Sequence, residues 1–278
     1  MADSTPNEVS QLERIEQYFG ASALEWRDLY ANPQRVNDLV LANRRRLAVE
    51  KLSTHAAPGT RVLDAGCGAG VVGLDLVQRG FFVQGVDIAE NMLELARMRF
   101  QQAGVSADRY SFFRADVTHS DLVPESFGAI VALGFLEYQA DELAALRRLW
   151  ELLEPGGVLV VSGPSAVRLA NYLGLAPVVR ERLSRRGWLP VATGPVRIGL
   201  HRYSPERFRS LLSAAGFELV EHQGHGFVEF DGVSERLSYR SEVALHHGLS
   251  WLSKFLPIAR FGNDLIAVGR RLKSSSSS

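Results

Sequence analysis

Ten consecutive residues constrain this chain more than any others: Arg61-Val-Leu-Asp-Ala-Gly-Cys-Gly-Ala-Gly70. Arg61 to Ala65 reads as a short buried strand. Gly66, Gly68 and Gly70 then make a turn whose backbone can approach a ligand closely, because no side chains intervene. Val71, Val72, Leu74, Leu76 and Val77 are spaced for a helix packed on a sheet, running to Arg79 and stopped by Gly80. A second apolar strand, Phe81 to Val86, ends in Asp87. Strand, glycine turn, helix, strand and acid form the first half of a nucleotide-binding α/β sheet. In such a sheet the acid at the tip of the second strand accepts the ribose hydroxyls of a bound nucleoside.

The kind of nucleoside follows from the frame of the glycines. Gly68-Ala-Gly-Val-Val-Gly73 fits the dinucleotide pattern G-x-G-x-x-G, which would make the protein an NAD-dependent oxidoreductase. That frame needs a strand running through Ala65-Gly66-Cys67, where strand character has already ended. In the other frame Gly66 follows the strand directly, and the third glycine of the motif would fall on Val71. Asp64 at the strand tip repels a pyrophosphate and pairs with an ammonium group. The ligand therefore carries a cationic amino-acid end and a ribose without phosphate. S-adenosylmethionine fits, with Asp64, Ala65, Gly66, Gly68, Gly70 and Asp87 as its first candidate contacts.

Leu63-Asp-Ala-Gly-Cys-Gly-Ala-Gly70, Val86-Asp-Ile-Ala-Glu-Asn-Met-Leu93, Ala115-Asp-Val117 and Glu154-Pro-Gly-Gly-Val158 resemble, in order, the motifs of class I S-adenosylmethionine-dependent methyltransferases. The resemblance covers roughly residues 40–165. It implies a Rossmann-like, seven-stranded, mostly parallel sheet whose last strand, Asp264 to Gly269, inserts antiparallel. It further implies Ile88 and Met92 against the adenine, Asp116 accepting the exocyclic amine, and the Val117 backbone at the ring. Read without the resemblance, Met92 is equally a core residue and Asp116 equally a cap of the next turn. Tyr18-Phe-Gly-Ala-Ser-Ala-Leu-Glu-Trp-Arg-Asp-Leu-Tyr30 resembles the start of magnesium-protoporphyrin O-methyltransferases and related quinone- and polyketide-type enzymes, which implies that Tyr18 faces the cofactor. In the porphyrin enzymes a histidine stands where this chain has Glu137, which speaks against that substrate.

The acceptor side is read from position. A fourth strand, Phe127 to Leu133, ends at the carboxyl edge of the sheet, where ligands bind in open α/β folds. Leu133, Gly134 and Phe135 are therefore expected along the cofactor cleft. Glu137 and Tyr138 are the chemical candidates beyond them, Glu137 having an alternative structural role at a helix start. His201 is a candidate general base, and His119 a weaker one, a lone loop histidine usually being only solvated. The flanking elements are expected as a helix over Asp141 to Leu153, a strand over Val158 to Val161 after Pro155-Gly156-Gly157, a helix over Pro205 to Ala215 and a strand over Phe217 to His222. Gly224 to Gly232 reads as a loop. Residues 164–204 and 233–258 are expected as helical insertions before and after that sixth strand, forming an acceptor lid. The first holds Arg180, Arg182, Arg185, Arg186, Arg197 and Arg202 with Trp188. It suits a lid over an anionic or aromatic acceptor, a contact with an anionic membrane, or a solvated face. His246 and His247, as neighbours, point to different faces and so make no shared metal site. No metal is expected.

Residues 1–50 are expected as a helical cap, with helices over Val9 to Phe19 and Leu39 to Leu52; Tyr18, Phe19, Trp26 and Tyr30 pack on the core or close over the cofactor. Arg44-Arg-Arg46 reads as a solvated helix face. Residues 51–272 form the methyltransferase domain and 273–278 a low-complexity tail. The 31 basic and 31 acidic residues balance, so no global field draws the chain to nucleic acid. Gly134-Phe-Leu-Glu137 replaces the Asn-Pro-Pro-Tyr type of base-flipping sequence. Cys67 is the only cysteine, a small filler in a reducing compartment. A polar start and the lack of a ~20-residue apolar run suit a cytoplasmic protein. The expected activity is methyl transfer from S-adenosylmethionine to an oxygen or nitrogen of a small-molecule acceptor. An RNA or protein methyltransferase, or a non-catalytic cofactor-binding subunit, is the alternative.

Overall fold

The computed structural model describes residues 11–21, 36–167, 201–227, 239–253 and 257–273. Trp26, Tyr30, Trp188, the five arginines from Arg180 to Arg197 and the tail after Lys273 lie outside the described residues, as do most of the first insertion and much of the second.

Seven strands form one sheet in the order β3-β2-β1-β4-β5-β7-β6. They are β1 (Arg61–Ala65), β2 (Phe82–Asp87), β3 (Tyr110–Arg114), β4 (Phe127–Ala132), β5 (Leu153–Pro164), β6 (Phe217–His225) and β7 (Asp264–Arg271). The first five pair in parallel, while β7 runs antiparallel to both β5 and β6. This is the Rossmann-like sheet with an inserted antiparallel strand that the motif order implies. The helices are α1 (Gln11–Ala21), α2 (Val36–His55), α3 (Val71–Gln78), α4 (Glu90–Gln102), α5 (Glu142–Leu152), α6 (Pro205–Ala214) and α7 (Tyr239–Leu252).

The two-residue period of the strands divides the core into two layers. Leu63, Ile130, Leu159 and Val161 face Leu146, Leu149, Phe208 and Leu212 of α5 and α6. Val62, Ala129, Val131, Val158 and Val160 face Val49 and Leu52 of α2, Leu76 of α3 and Phe100 of α4. Both faces are covered, so the central strands can be apolar throughout. Asp64 is the exception within β1. Alternation turns it toward the α2–α3 layer, where it is buried.

Three expected strands prove longer, β7 by two residues to Arg271. β5 starts at Leu153, five residues before Val158, so Pro155-Gly156-Gly157 lies within it, with a register irregularity between Phe127 and Ala129 of β4. β6 runs on through Gly224 and His225, expected as loop, because β7 pairs with it as far as His225↔Asp264. Helix starts follow their caps: Asp141 accepts from the Ala144 amide at 2.9 Å, and Ser204 accepts from the Arg207 amide at 3.1 Å, with Pro205 in the first turn. Among the described residues no helix is long and apolar enough to cross a membrane.

Candidate active site

A cavity of about 730 Å³ opens at the carboxyl edge of the sheet, where the strand order reverses between β1 and β4. Its floor is the glycine turn, Gly66 to Ala69, with Asp64 beneath it. Asp87 and Ile88 enter from the end of β2, and Asp116 and Val117 from beyond β3. Met92 lies on α4, and Leu133, Gly134 and Phe135 follow β4. Glu137 and Tyr138, in the single turn Leu136–Tyr138, complete that side. The structure thus brings thirteen of the expected site residues onto one surface.

Ala65 and Gly70 are not on that surface. Ala65 is fully buried in the core. Gly70 adopts φ 70°, and a Cβ there would stand 2.8 Å from the Ala96 Cβ. It brings α3 against α4 and shapes the turn, while its neighbours form the wall. Tyr18 also stands back from the wall. Helix α1 presents Ile15 and Phe19 to the cavity, and the half-exposed Tyr18 ring meets Phe19 edge-on at 5.2 Å. Phe19 in turn stacks edge-on with Tyr138 at 5.3 Å. One residue of helical phase separates the expected contact from the observed one.

Asp64 has a buried Oδ2 without a hydrogen-bond partner. Burial pushes its carboxyl up to about 7, and the nearby charge of Asp87 adds to the effect. Asp87 accepts from the Gly68 amide at 2.8 Å and the Ala89 amide at 2.9 Å. Burial raises it too, and those amides moderate the shift. Each oxygen keeps lone-pair capacity toward the cavity. Asp116 caps its own turn, accepting from the Thr118 amide at 2.9 Å, with His119 Nδ1 at 2.7 Å. Burial works to raise its pKa, but the His119 and Thr118 hydrogen bonds outweigh it and hold the carboxyl below the usual range. Cys67 is buried with its thiol pushed well up, first by burial and then by Asp64, so it is an inert filler.

On the acceptor side, Glu137 is buried and its Oε2 has no hydrogen-bond partner. Burial raises it to about 7, against the pull of the Arg44 charge. Tyr138 is raised well above its ordinary value by burial and by Glu137, so it stays a neutral phenol. His201 does not line the cavity. Its Nε2 lies 3.0 Å from the Gln139 carbonyl and its Nδ1 3.4 Å from Glu142, and its amide bonds the Glu137 carbonyl. It braces the turn that carries Glu137. His119 does line the cavity, paired with Asp116.

Arg44 and Arg45 are the residues that sequence reasoning misplaced. Only Arg46 is a solvated face, paired with Glu50 one turn on. Arg44 is buried on the cavity wall beside Asp264. Arg45 also lines the cavity and forks onto both Asp75 oxygens at 2.6 Å. The packing of α2 on the sheet turns these two inward, and the apolar pattern of α2 is too weak to give its phase. Among the described residues no cluster of three or more His, Cys, Asp or Glu could hold a metal.

The profile of a family described as a methyltransferase domain matches residues 62–157. A Dinoroseobacter shibae protein named ubiquinone biosynthesis O-methyltransferase is 30% identical over 218 residues, covering 75% of this chain and 84% of the relative. A protein of the same name from Ruegeria pomeroyi is 31% identical over 242 residues, covering 80% and 88%. Among solved structures, magnesium protoporphyrin IX methyltransferase from Synechocystis with bound S-adenosylhomocysteine superposes with a TM-score of 0.64 at 19% identity, covering 93% of this chain and 98% of that one. A Burkholderia thailandensis 1,6-didemethyltoxoflavin N1-methyltransferase gives 0.60 at 18% identity, covering 98% and 95%.

Proposed function

The chain belongs to the S-adenosylmethionine-dependent methyltransferases of small molecules, and from that premise we propose that it methylates a ring hydroxyl of a phenolic or quinol-type biosynthetic intermediate. The observation that carries this reading is Glu137, a buried carboxyl with an unpartnered oxygen on the cavity wall, held at about 7. A hydroxyl acceptor needs a base at such a value, whereas an amine or a carboxylate needs it less. The names of the relatives support a quinone-type acceptor, and Phe19, Phe135 and Tyr138 supply aromatic walls for a ring.

The residues present fit the cofactor. The unpartnered Asp64 oxygen would pair with its ammonium group, the turn from Gly66 would lie along its amino-acid end, and Asp87 would accept the ribose hydroxyls. Ile88 and Met92 would flank the adenine, with Asp116 and the Val117 backbone at its edge and Leu133 to Phe135 lining the rest. When bound, S-adenosylmethionine supplies an electrophilic methyl carbon, so that a carbon–oxygen bond forms as the carbon–sulfur bond breaks and S-adenosylhomocysteine leaves. Glu137 takes the hydroxyl proton as that bond forms. Phe19 and Ile15 on α1 exclude water from the cavity mouth.

Calorimetric titration with S-adenosylmethionine, S-adenosylhomocysteine and NADH, on wild type and Asp87→Ala, tests the cofactor assignment. Transfer of labelled methyl to a panel of catechols, anilines and benzoates tests the acceptor. Methylated amines with untouched catechols would sink the hydroxyl reading. We also propose a cytoplasmic enzyme whose arginine-rich segment 164–204 meets the acceptor or an anionic bilayer. Co-sedimentation with anionic vesicles, lost when those arginines are neutralised, distinguishes the two.

A further inference from the structure

The turn that carries Glu137 is too small to hold itself. It is a single turn, Leu136–Tyr138, closed by the Tyr138 amide on the Phe135 carbonyl and the Gln139 amide on the Leu136 carbonyl, both at 3.2 Å. So short a turn takes its place from what it hangs on. His201 meets it, and the residues after it, through its backbone and both ring nitrogens. Its amide donates to the Glu137 carbonyl at 3.3 Å, its Nε2 donates to the Gln139 carbonyl at 3.0 Å, and its Nδ1 faces the Glu142 carboxylate at 3.4 Å. Glu142 is buried in the first turn of α5 and is itself fixed, its Oε2 accepting from Arg207 Nη2 of α6 at 2.7 Å. The fold grips His201 from the other side as well. Two residues on, Tyr203 lies beside the end of β5: its amide donates to the Pro164 carbonyl at 2.9 Å, and its carbonyl accepts from the Ala166 amide at 2.8 Å. The Tyr203 ring is fully buried, its centroid 5.2 Å from that of Phe208, and it fills space left by Gly163, where a Cβ would stand 2.7 Å from the ring.

We propose that His201 is a positioning residue for methyl transfer: with Glu142 behind it, it fixes the Leu136–Tyr138 turn so that the Glu137 carboxyl stays on the cavity wall, facing the acceptor. This rests on the reading of Glu137 as the base, so one readout is kept independent of turnover. The full chain, without ligand, is labelled at the side-chain carboxyl carbon of its glutamates, and NMR follows the Glu137 resonance, identified by its loss in Glu137→Gln. Arg44, Asp264 and Arg202 also act on this carboxyl, and none of them is changed.

The wild-type midpoint is expected at about 7, where burial holds it. In His201→Ala the freed turn admits water, and the midpoint is expected to fall by at least about one pH unit toward that of an ordinary glutamate. A general loss of stability would lower the melting temperature without moving that midpoint. His201→Gln, whose side-chain amide keeps a donor for the Gln139 carbonyl, is expected to fall between the two, and it carries the test should His201→Ala fail to fold. With catechol as acceptor, His201→Ala is expected to lower kcat by about 10- to 10²-fold with the KM for S-adenosylmethionine little changed, and to have no further effect in the Glu137→Gln background. A midpoint unchanged or raised in the folded variants, or an equal loss of kcat with and without Glu137, would overturn the assignment of His201. The hydroxyl reading fails separately, if the midpoints move as expected but catechol receives no methyl group.

Discussion

Two buried acids, Asp64 and Glu137, set what pH does to this protein. Both are held at about 7 by burial. Below that value Asp64 is protonated, and the ammonium of a ligand would have to displace its proton. S-adenosylhomocysteine affinity is therefore expected to weaken as pH falls through about 7, by up to about tenfold per unit, and to be weak and nearly flat with pH in Asp64→Asn. Calorimetry across pH reads this directly, and a flat wild-type profile would contradict the pairing. Glu137 as base requires its ionised form, so kcat is expected to rise with pH through about 7. Glu137→Gln should lower kcat about 10²–10⁴-fold and remove that limb, with cofactor affinity retained. The pH–rate profile separates this from a structural role, which would depress activity without reshaping the curve. Asp64 was legible as a strand-tip carboxylate. Its neutral state near pH 7 was not, because that depends on how completely the α2–α3 layer closes over it.

At the scale of elements, the glycine turn and α1 carry the sharpest expectations. Gly70→Ala forces a side chain into a left-handed conformation and against Ala96, and is expected to cost about 1–3 kcal/mol in denaturant unfolding. Helix α1 is held by the Asn91 amide on the Gly20 carbonyl, by the Glu16–Arg114 pair and by Phe19 against Met92 and Leu95. Removing residues 1–21 opens the cavity on that side. A loss of about tenfold in S-adenosylhomocysteine affinity is expected, with the sheet's cooperative unfolding retained. The central strands and most helix ends were readable because each is set by local chemistry: β1 has the bounds its apolar run indicates, and α5 and α6 start at their caps. The extensions of β5 and β6 were not, because they come from pairing with other strands: Leu153 pairs with Phe127 of β4, and Gly224 and His225 pair with β7.

Across the whole molecule the same acids act on stability. A carboxyl raised by folding contributes stability that is fully present below its unfolded value and lost as pH rises through about 7. His225, lowered to about 3, works in the opposite sense, its share being lost as pH falls below about 6.5. The absolute melting temperature therefore mixes the two, and the informative quantity is a difference. Glu137→Gln is expected to melt increasingly above wild type as pH rises from about 5 to about 8, since only the wild type acquires a buried charge there. A difference constant with pH would mean that folding does not shift the titration of Glu137 over that range. The ordered motifs determined, by themselves, the sheet, its switch point and the cofactor, because each depends on residues a few positions apart on one strand and turn. Only the tertiary structure decided that Phe19 rather than Tyr18 meets the cavity, that His201 braces the turn instead of facing the acceptor, and that Arg44 is buried beside Asp264. Those outcomes depend on the rotational phase of helices and on partners far apart in the chain, which are decided when the layers pack.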